Sequence, residues 1–460
     1  MPSSSTSSGR LAASRTCMLA WLCHVPRNAN FSLISNLAIS IRNQNVLRLK
    51  DTRCVGRMQW SPVPCQRALL FLIPFGVEQY FLVIRLYPQY LYSRGTAMAK
   101  VKGEAYQAIR HTAPTGNYRG AVVGCGRMGS TIDDEHIGMP NYPWPWAHAP
   151  AMIEARGVDL IAASDTDQGR LDDFGSRWGT TALYTDYREM VEQEAPDLVS
   201  LTTRPEPRAE ITIGLAELGV KAIFATKPMC RTLAEADAMI EACAKHGTIL
   251  SIACHLNWYS YYTRARELMT EGAIGPLRSM VCHSPSSLSN IQSHTLALLR
   301  LFAGAPAEWV VGIMDSDEKA GTDDDISGSG SVVYENGVRT ILNSQCEKVQ
   351  SSWAIEFIGE TGRIVSRHAH SQFEIITPDS VTGAPSRTHL PNPWHPRSSM
   401  IDAIEGVCRS IESGREEICP GEFGREALEI GIALRESHRR GNIRVDLPLE
   451  DRILRMGGPT

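Results

Sequence analysis

From residue 118 to 253 the chain alternates short apolar runs with stretches whose apolar residues recur at helical spacing. Strands are predicted at 119–123, 158–165, 197–203, 221–225 and 248–253, and helices at 147–156, 209–218 and 232–246. The last helix opens on a capping box, Thr232 to Glu235, and stops at Gly247. Strands that alternate with helices predict a parallel, doubly wound sheet. After residue 277 the period shortens. Strand-like runs follow at 277–283, 310–315, 329–334, 338–343, 353–359, 362–368 and 372–376, with turn signals such as Glu335-Asn336-Gly337 between them. Few helices intervene before two amphipathic ones near 398–412 and 424–440. The fold class predicted is α/β: an N-terminal doubly wound parallel sheet, then an α+β domain with a large, mostly antiparallel sheet.

Composition changes this picture at one end. With 460 residues, 43% of them hydrophobic and 21% charged, the chain has material for two or three domains, and wholesale disorder is excluded. The net charge of −4 gives no footprint for nucleic acid. Residues 1–97, however, carry +9 and the remainder −13. The first fifty residues hold no acid and open on the run Ser3–Ser8, which resembles an organelle transit peptide. An alternative is that 1–97 lie outside the natural protein, as the start-like Met98-Ala-Lys-Val-Lys suggests. Disorder is expected there. The apolar run 68–84 holds Pro74, Gly76 and Glu78, so a membrane-spanning helix is not expected. Twelve cysteines without a C-x-x-C pair predict neither a zinc site nor a disulfide framework, and favour a reducing compartment.

The first predicted strand runs into Gly124-Cys-Gly126-Arg127-Met128-Gly129. This G-x-G-x-x-G spacing provides a tight turn, an open backbone approach for a pyrophosphate and close helix–strand packing. The second strand ends in Asp165. A carboxylate there accepts from an adenosine ribose and repels a 2′-phosphate, favouring NAD over NADP, with NADP left open by Ser164 and Arg170. Asp165 comes 41 residues after Gly124 instead of the usual offset of about 20. Pro140, Pro143 and Pro145 mark an inserted loop that accounts for much of the excess.

Further motifs follow in order. They are Asp186-Tyr-Arg-Glu-Met190, Pro196-Asp-Leu-Val199, Thr226-Lys227-Pro228, Gly272-Ala-Ile-Gly275, Ser293-His294-Thr-Leu and Val445-Asp-Leu-Pro-Leu449. Together with the glycine motif they resemble the Gfo/Idh/MocA family of NAD(P)-dependent oxidoreductases over roughly residues 118–450. The resemblance implies a Rossmann domain at 118–255 after a lead-in at 98–117. It also implies a substrate and oligomerisation domain at 256–450, with a tail at 451–460. Homo-oligomers packed through the C-terminal sheet would follow, with a small sugar or polyol as substrate and no nucleic-acid or membrane partner. A cytoplasmic location is expected, or an organelle if the first residues are a transit peptide.

For the cofactor the resemblance singles out Gly124, Gly126, Arg127, Met128, Gly129, Asp165, Thr203, Lys227 and Pro228. Its catalytic pattern, E-K-P and D-x-x-x-H, reads here as Thr226-Lys227-Pro228 and Asn290-Ile-Gln-Ser-His294. The basic members remain and both acids are replaced. Oxidising an alcohol needs a base for the hydroxyl proton, which His294 can be, and positive charge near the developing alkoxide, which Lys227 can supply. Asn290 is expected to support His294 through its carbonyl. The family's Asn-Arg-Arg-like stretch becomes His255-Leu-Asn257, and Asn257 joins Lys227 and His294 as a substrate contact. Two other readings share this fold: a non-catalytic dinucleotide-binding regulator, and a glycosidase using tightly held NAD.

Overall fold

A computed structural model describes residues 113–138, 144–346, 353–367, 372–390, 397–416 and 418–457, and the backbone of four strands before them. The chain divides into two units, Met1–Lys100 and Val101–Thr460. In the first, β1 (Ile39–Arg42) pairs antiparallel with β2 (Val46–Leu49), and β3 (Leu69–Phe75) with β4 (Glu78–Ile84). Most of the apolar run 68–84 is thus paired strand and not helix. The Ser-rich opening and the start-like Met98 lie outside the described residues.

In the second unit, six parallel strands stand in the order β10-β9-β8-β5-β6-β7. They are β5 (Tyr118–Val123), β6 (Val158–Ser164), β7 (Ala182–Tyr184), β8 (Leu198–Leu201), β9 (Ala222–Ala225) and β10 (Ile249–Ile252). Their connecting helices are α1 (His148–Glu154), α2 (Gln168–Trp178), α3 (Tyr187–Glu194), α4 (Pro205–Glu217) and α5 (Leu233–His246). Every residue of β8 and β9 is buried, as expected for strands covered on both faces. The strand order switches between β5 and β8, so the crevice at their carboxyl ends is the place where this topology puts ligands.

The second sheet has nine strands in the order β18-β17-β16-β15-β11-β14-β13-β12-β19. They are β11 (Leu277–His283), β12 (Ala307–Met314), β13 (Gly328–Tyr334), β14 (Arg339–Asn343), β15 (Ala354–Gly359), β16 (Arg363–Arg367), β17 (Gln372–Pro378), β18 (Pro385–Leu390) and β19 (Val445–Asp446). All pairings are antiparallel except β11 with β14. Five helices complete the unit: α6 (Ser260–Thr270), α7 (Gln292–Ala303), α8 (Asp317–Ala320), α9 (Ser399–Ser413) and α10 (Gly421–Arg439). Alternate residues of β12 and β14 are buried, those of β12 against α10, and Ile313 and Ile341 are exposed.

Departures from the sequence pattern have local causes. The glycine motif opens on one π turn, Arg127–Thr131, and a 3-10 turn, Ile132–His136, instead of a regular helix. Buried Asp133 closes the inserted loop by accepting from the N–H groups of Trp146 (2.7 Å) and Ala147 (3.1 Å), just ahead of α1. Helix α4 starts four residues before the predicted 209 because Pro205 takes its first position. The eight described cysteines are free thiols, seven of them buried as small hydrophobes. No described helix is long and apolar enough to cross a membrane.

Candidate active site

A cavity of about 1820 Å³ opens at the carboxyl ends of the parallel strands. Of the residues singled out for the cofactor, Gly124, Gly126, Arg127, Met128, Asp165, Thr203, Lys227 and Pro228 line it. Gly129 sits just behind. A Cβ on Gly129 would lie 2.1 Å from the Gly124 carbonyl oxygen, so no larger residue fits. Gly124 has φ +98, and its Cβ would meet the Thr203 amide nitrogen at 2.9 Å. Around Gly126 nothing lies within 4 Å of a would-be Cβ, which leaves its backbone open toward the cavity. The three glycines therefore play three different parts: turn, approach and packing.

Asp165 is buried at the end of β6. Its Oδ2 accepts from the Cys125 N–H at 2.7 Å, and its Oδ1 from the Asp167 N–H at 3.0 Å. It therefore fixes the glycine turn as well as lining the cavity, and its nearest cation is Arg170 at 3.9 Å. A group bearing a 2′-phosphate would meet this carboxylate. The glycine cradle and the acid together fit a dinucleotide without that phosphate.

Arg208, which the sequence pattern did not single out, organises the opposite wall. It is 1% exposed and donates to the carbonyls of Thr226 (2.8 Å), Pro228 and Thr203. These are the loop carbonyls just beyond β8 and β9. Burial lowers its guanidinium to about 10. Its place in the first turn of α4, between Glu206 and Glu210, gives no signal of this role.

Lys227 follows β9 and is half-buried. Its Nζ donates to the Asn290 backbone oxygen (2.6 Å) and to Asn290 Oδ1 (3.0 Å). Burial is the main cause that lowers its ammonium to about 8. Arg208 and Arg127 push the same way, whereas Cys254 and Asp325 oppose them. Asn290 was expected to lie one helical turn from His294 and to support it. Instead it precedes α7, whose first residue is Gln292, and both of its oxygens face Lys227. The reason is local. Asp325 accepts from the N–H groups of Ser289 (2.8 Å) and Asn290 (2.7 Å), which holds this stretch out of the helix.

His294 lies in the first turn of α7 and packs edge-on against His255, with ring centroids 4.5 Å apart. His255 is in hydrogen-bond contact with Ser399 Oγ (3.1 Å) and packs on Trp146 at 5.3 Å. Sequence reasoning assigns His255 no role, since only tertiary packing brings it beside His294. His283 lies in the second sheet against Asn343. Asn257 is placed differently from expectation: it is 1% exposed, does not line the cavity, and donates to the Ile418 carbonyl at 3.1 Å.

Comparison with known proteins agrees with this layout. The family described as "Oxidoreductase family, NAD-binding Rossmann fold" matches residues 118–254. Myo-inositol 2-dehydrogenase of Thermotoga maritima is 24% identical over 334 residues, covering 69% of this chain and 95% of that protein. D-apiose dehydrogenase of Paraburkholderia graminis is 30% identical over 174 residues, covering 37% of this chain and 42% of that protein. Among solved structures, the aldose-aldose oxidoreductase of Caulobacter crescentus has a TM-score of 0.60 at 21% identity. That match covers 72% of this chain and all of that one (100%), and it speaks to the fold. With its glycine cradle, acid-tipped second strand and nine-stranded second sheet, the chain is similar to the Gfo/Idh/MocA oxidoreductases, whose NAD-binding Rossmann fold its residues 118–254 match.

Proposed function

We propose that the protein is an NAD-dependent dehydrogenase or reductase that exchanges hydride between nicotinamide and a carbinol of a sugar, inositol or related polyol. The observation that carries this reading is the position of Lys227. It stands at the mouth of the parallel sheet, on the wall of the cavity lined by Gly124 and Asp165, and is held by the turn that leads into His294. When bound, NAD supplies the hydride acceptor. The chain supplies the rest. Gly124, Gly126 and the backbone between them would cradle the pyrophosphate, and Asp165 would meet the ribose, leaving NADP the weaker ligand. Lys227, at about 8, is mostly protonated at neutral pH and offers its charge to a developing alkoxide. His294 takes the hydroxyl proton. Relatives named for inositol, apiose and levoglucosan oxidation support the substrate class.

In this reading residues 118–255 bind the cofactor, and 256–450 complete the substrate site. The outward face of the second sheet, with Ile313 and Ile341 exposed, supports a homo-oligomer packed through that sheet. A cytoplasmic location accords with buried free thiols. The test is a panel of sugars, inositols and hydroxy acids supplied with NAD and followed as NADH formation. Turnover of at least one polyol supports the proposal. Tight NAD binding without turnover of any would overturn it in favour of a dinucleotide-binding regulator.

A further inference from the structure

Between α8 and β13 the sequence runs Asp323-Asp324-Asp325, three adjacent acids that the reaction scheme above does not use. They have different surroundings. Asp323 is paired with Arg455 at 2.7 Å, and Asp324 is exposed. Asp325 turns to the cavity and binds the two consecutive N–H groups of Ser289 and Asn290, one on each oxygen. Beside it, the Leu288 N–H donates to the Ile326 carbonyl at 2.9 Å, so the two segments are stitched side by side.

We propose that Asp325 is a positioning residue: it holds residues 289–290 so that both oxygens of Asn290 face the Lys227 ammonium. It also gives this corner of the cavity the carboxylate that positions 226 and 290 do not supply. The inference rests on the assignment of Lys227 to the reacting centre.

The groups that act on Lys227 come from five separate segments. Arg127 belongs to the glycine turn, Arg208 to α4, Cys254 to the end of β10, Asn290 to the approach to α7, and Asp325 to the segment before β13. Two of these are cations, and Asp325 is the carboxylate among them. Without it, a half-buried ammonium would face two arginines with only neutral carbonyls to receive its protons. Such an ammonium tends to lose its proton or swing away. A carboxylate held by two backbone N–H groups is fixed in place, so it can act steadily on its neighbour.

The direct test reads Lys227 without requiring turnover. The pH dependence of its acylation by trace acetic anhydride, quantified by peptide mass spectrometry on the full-length protein, reports its protonation. In Asp325→Asn the midpoint should fall by about half a unit or more. Asp325→Glu, which keeps the charge, should stay near wild type. Placing a carboxylate one residue away, in the double variant Asp325→Asn with Asn290→Asp, should restore the midpoint. Should Asp325→Asn misfold, Asp325→Ser carries the same expectation. A profile that coincides with wild type in the neutral variant, even with a lowered Tm, overturns the proposal and leaves Asp325 a plain structural clamp. Turnover separates the two claims. If Lys227 serves the reaction, Asp325→Asn also lowers kcat on the alkaline side, moving that limb of the pH–rate profile down by the same shift, with little change in NAD affinity. If the midpoint falls while kcat is unmoved, the coupling stands and the catalytic assignment of Lys227 fails.

Discussion

Lys227 and Asn290 are joined by two hydrogen bonds: one ammonium donates to the backbone oxygen and to Oδ1 of one asparagine, at 2.6 and 3.0 Å. The contact joins the loop after β9 to the turn before α7. It decides which group a change at position 290 will affect.

Asn290→Asp puts a carboxylate oxygen where Oδ1 now sits, 3.0 Å from Nζ. An adjacent anion favours the protonated amine, so Lys227 should titrate above its present value of about 8. Activity that needs the cation is lost as pH rises through that value. The alkaline limb of the pH–rate profile should therefore move to higher pH, whereas the acid limb, assigned to His294, should barely move. A shift confined to the acid limb would mean that position 290 acts on His294 after all.

Asp165→Ser removes both the charge that a 2′-phosphate would meet and the acceptor that fixes the Cys125 N–H. Affinity for NAD should fall about tenfold, in line with a lost charged hydrogen bond, and the NAD/NADP affinity ratio should narrow. Isothermal titration with both dinucleotides checks this. Wild-type protein that prefers NADP would show that Asp165 has been misassigned.

Arg208→Ala leaves the carbonyls of Thr203, Thr226 and Pro228 without their shared donor in a buried place. The expected cost is about 2–4 kcal/mol, read as a lower denaturation midpoint, with NAD binding weakened as the loops after β8 and β9 loosen. Unchanged stability would mean that water replaces the guanidinium without loss.

Glu405 ties α9 to the end of α1. Burial alone would raise its carboxyl, but hydrogen bonds from Arg156 and Arg397 outweigh that and hold it at about 2. A carboxyl lowered in this way stabilises the fold above its unfolded pKa of about 4.3, and this contribution fades as pH falls toward 2. Glu405→Gln should therefore cost about 1–3 kcal/mol of stability at pH 7, after allowing for the solvent exposure of both arginines, read as a lower Tm. The gap from wild type should narrow below pH 4. A gap that is constant with pH would place the loss in packing instead.

Most of the scaffold was legible because its signals are local. The buried runs of β5, β8 and β9, the Thr232–Glu235 capping box and the glycine spacing each declare themselves within a few residues. Lys227 and His294 were legible as chemistry, since an amine and an imidazole survive where both motif acids are gone. The partners were not. Asn290 was assigned to His294 on helical spacing, but Asp325, 35 residues further on, keeps it out of the helix. His255 reaches His294 only through the packing of separate elements. Arg208 looked like a charged residue near a helix start, and its three acceptors come from loops after two different strands. Strands β7 and β18 escaped notice because one has three residues and the other is an exposed edge.

In the proposed reaction Lys227 and His294 together carry out the chemistry on a bound dinucleotide. It is tested most directly by the rate of NADH formation from the best polyol substrate in wild type, Lys227→Met and His294→Ala, with NAD affinity measured in parallel. Positioned acid–base catalysis is worth roughly 10²–10⁴-fold, so His294→Ala should lose about that much turnover while binding NAD within about twofold of wild type. Lys227→Met should lose turnover comparably, its alkoxide now without a cation. Variants that turn over like wild type, or a wild type that binds NAD and oxidises nothing, would contradict the claim.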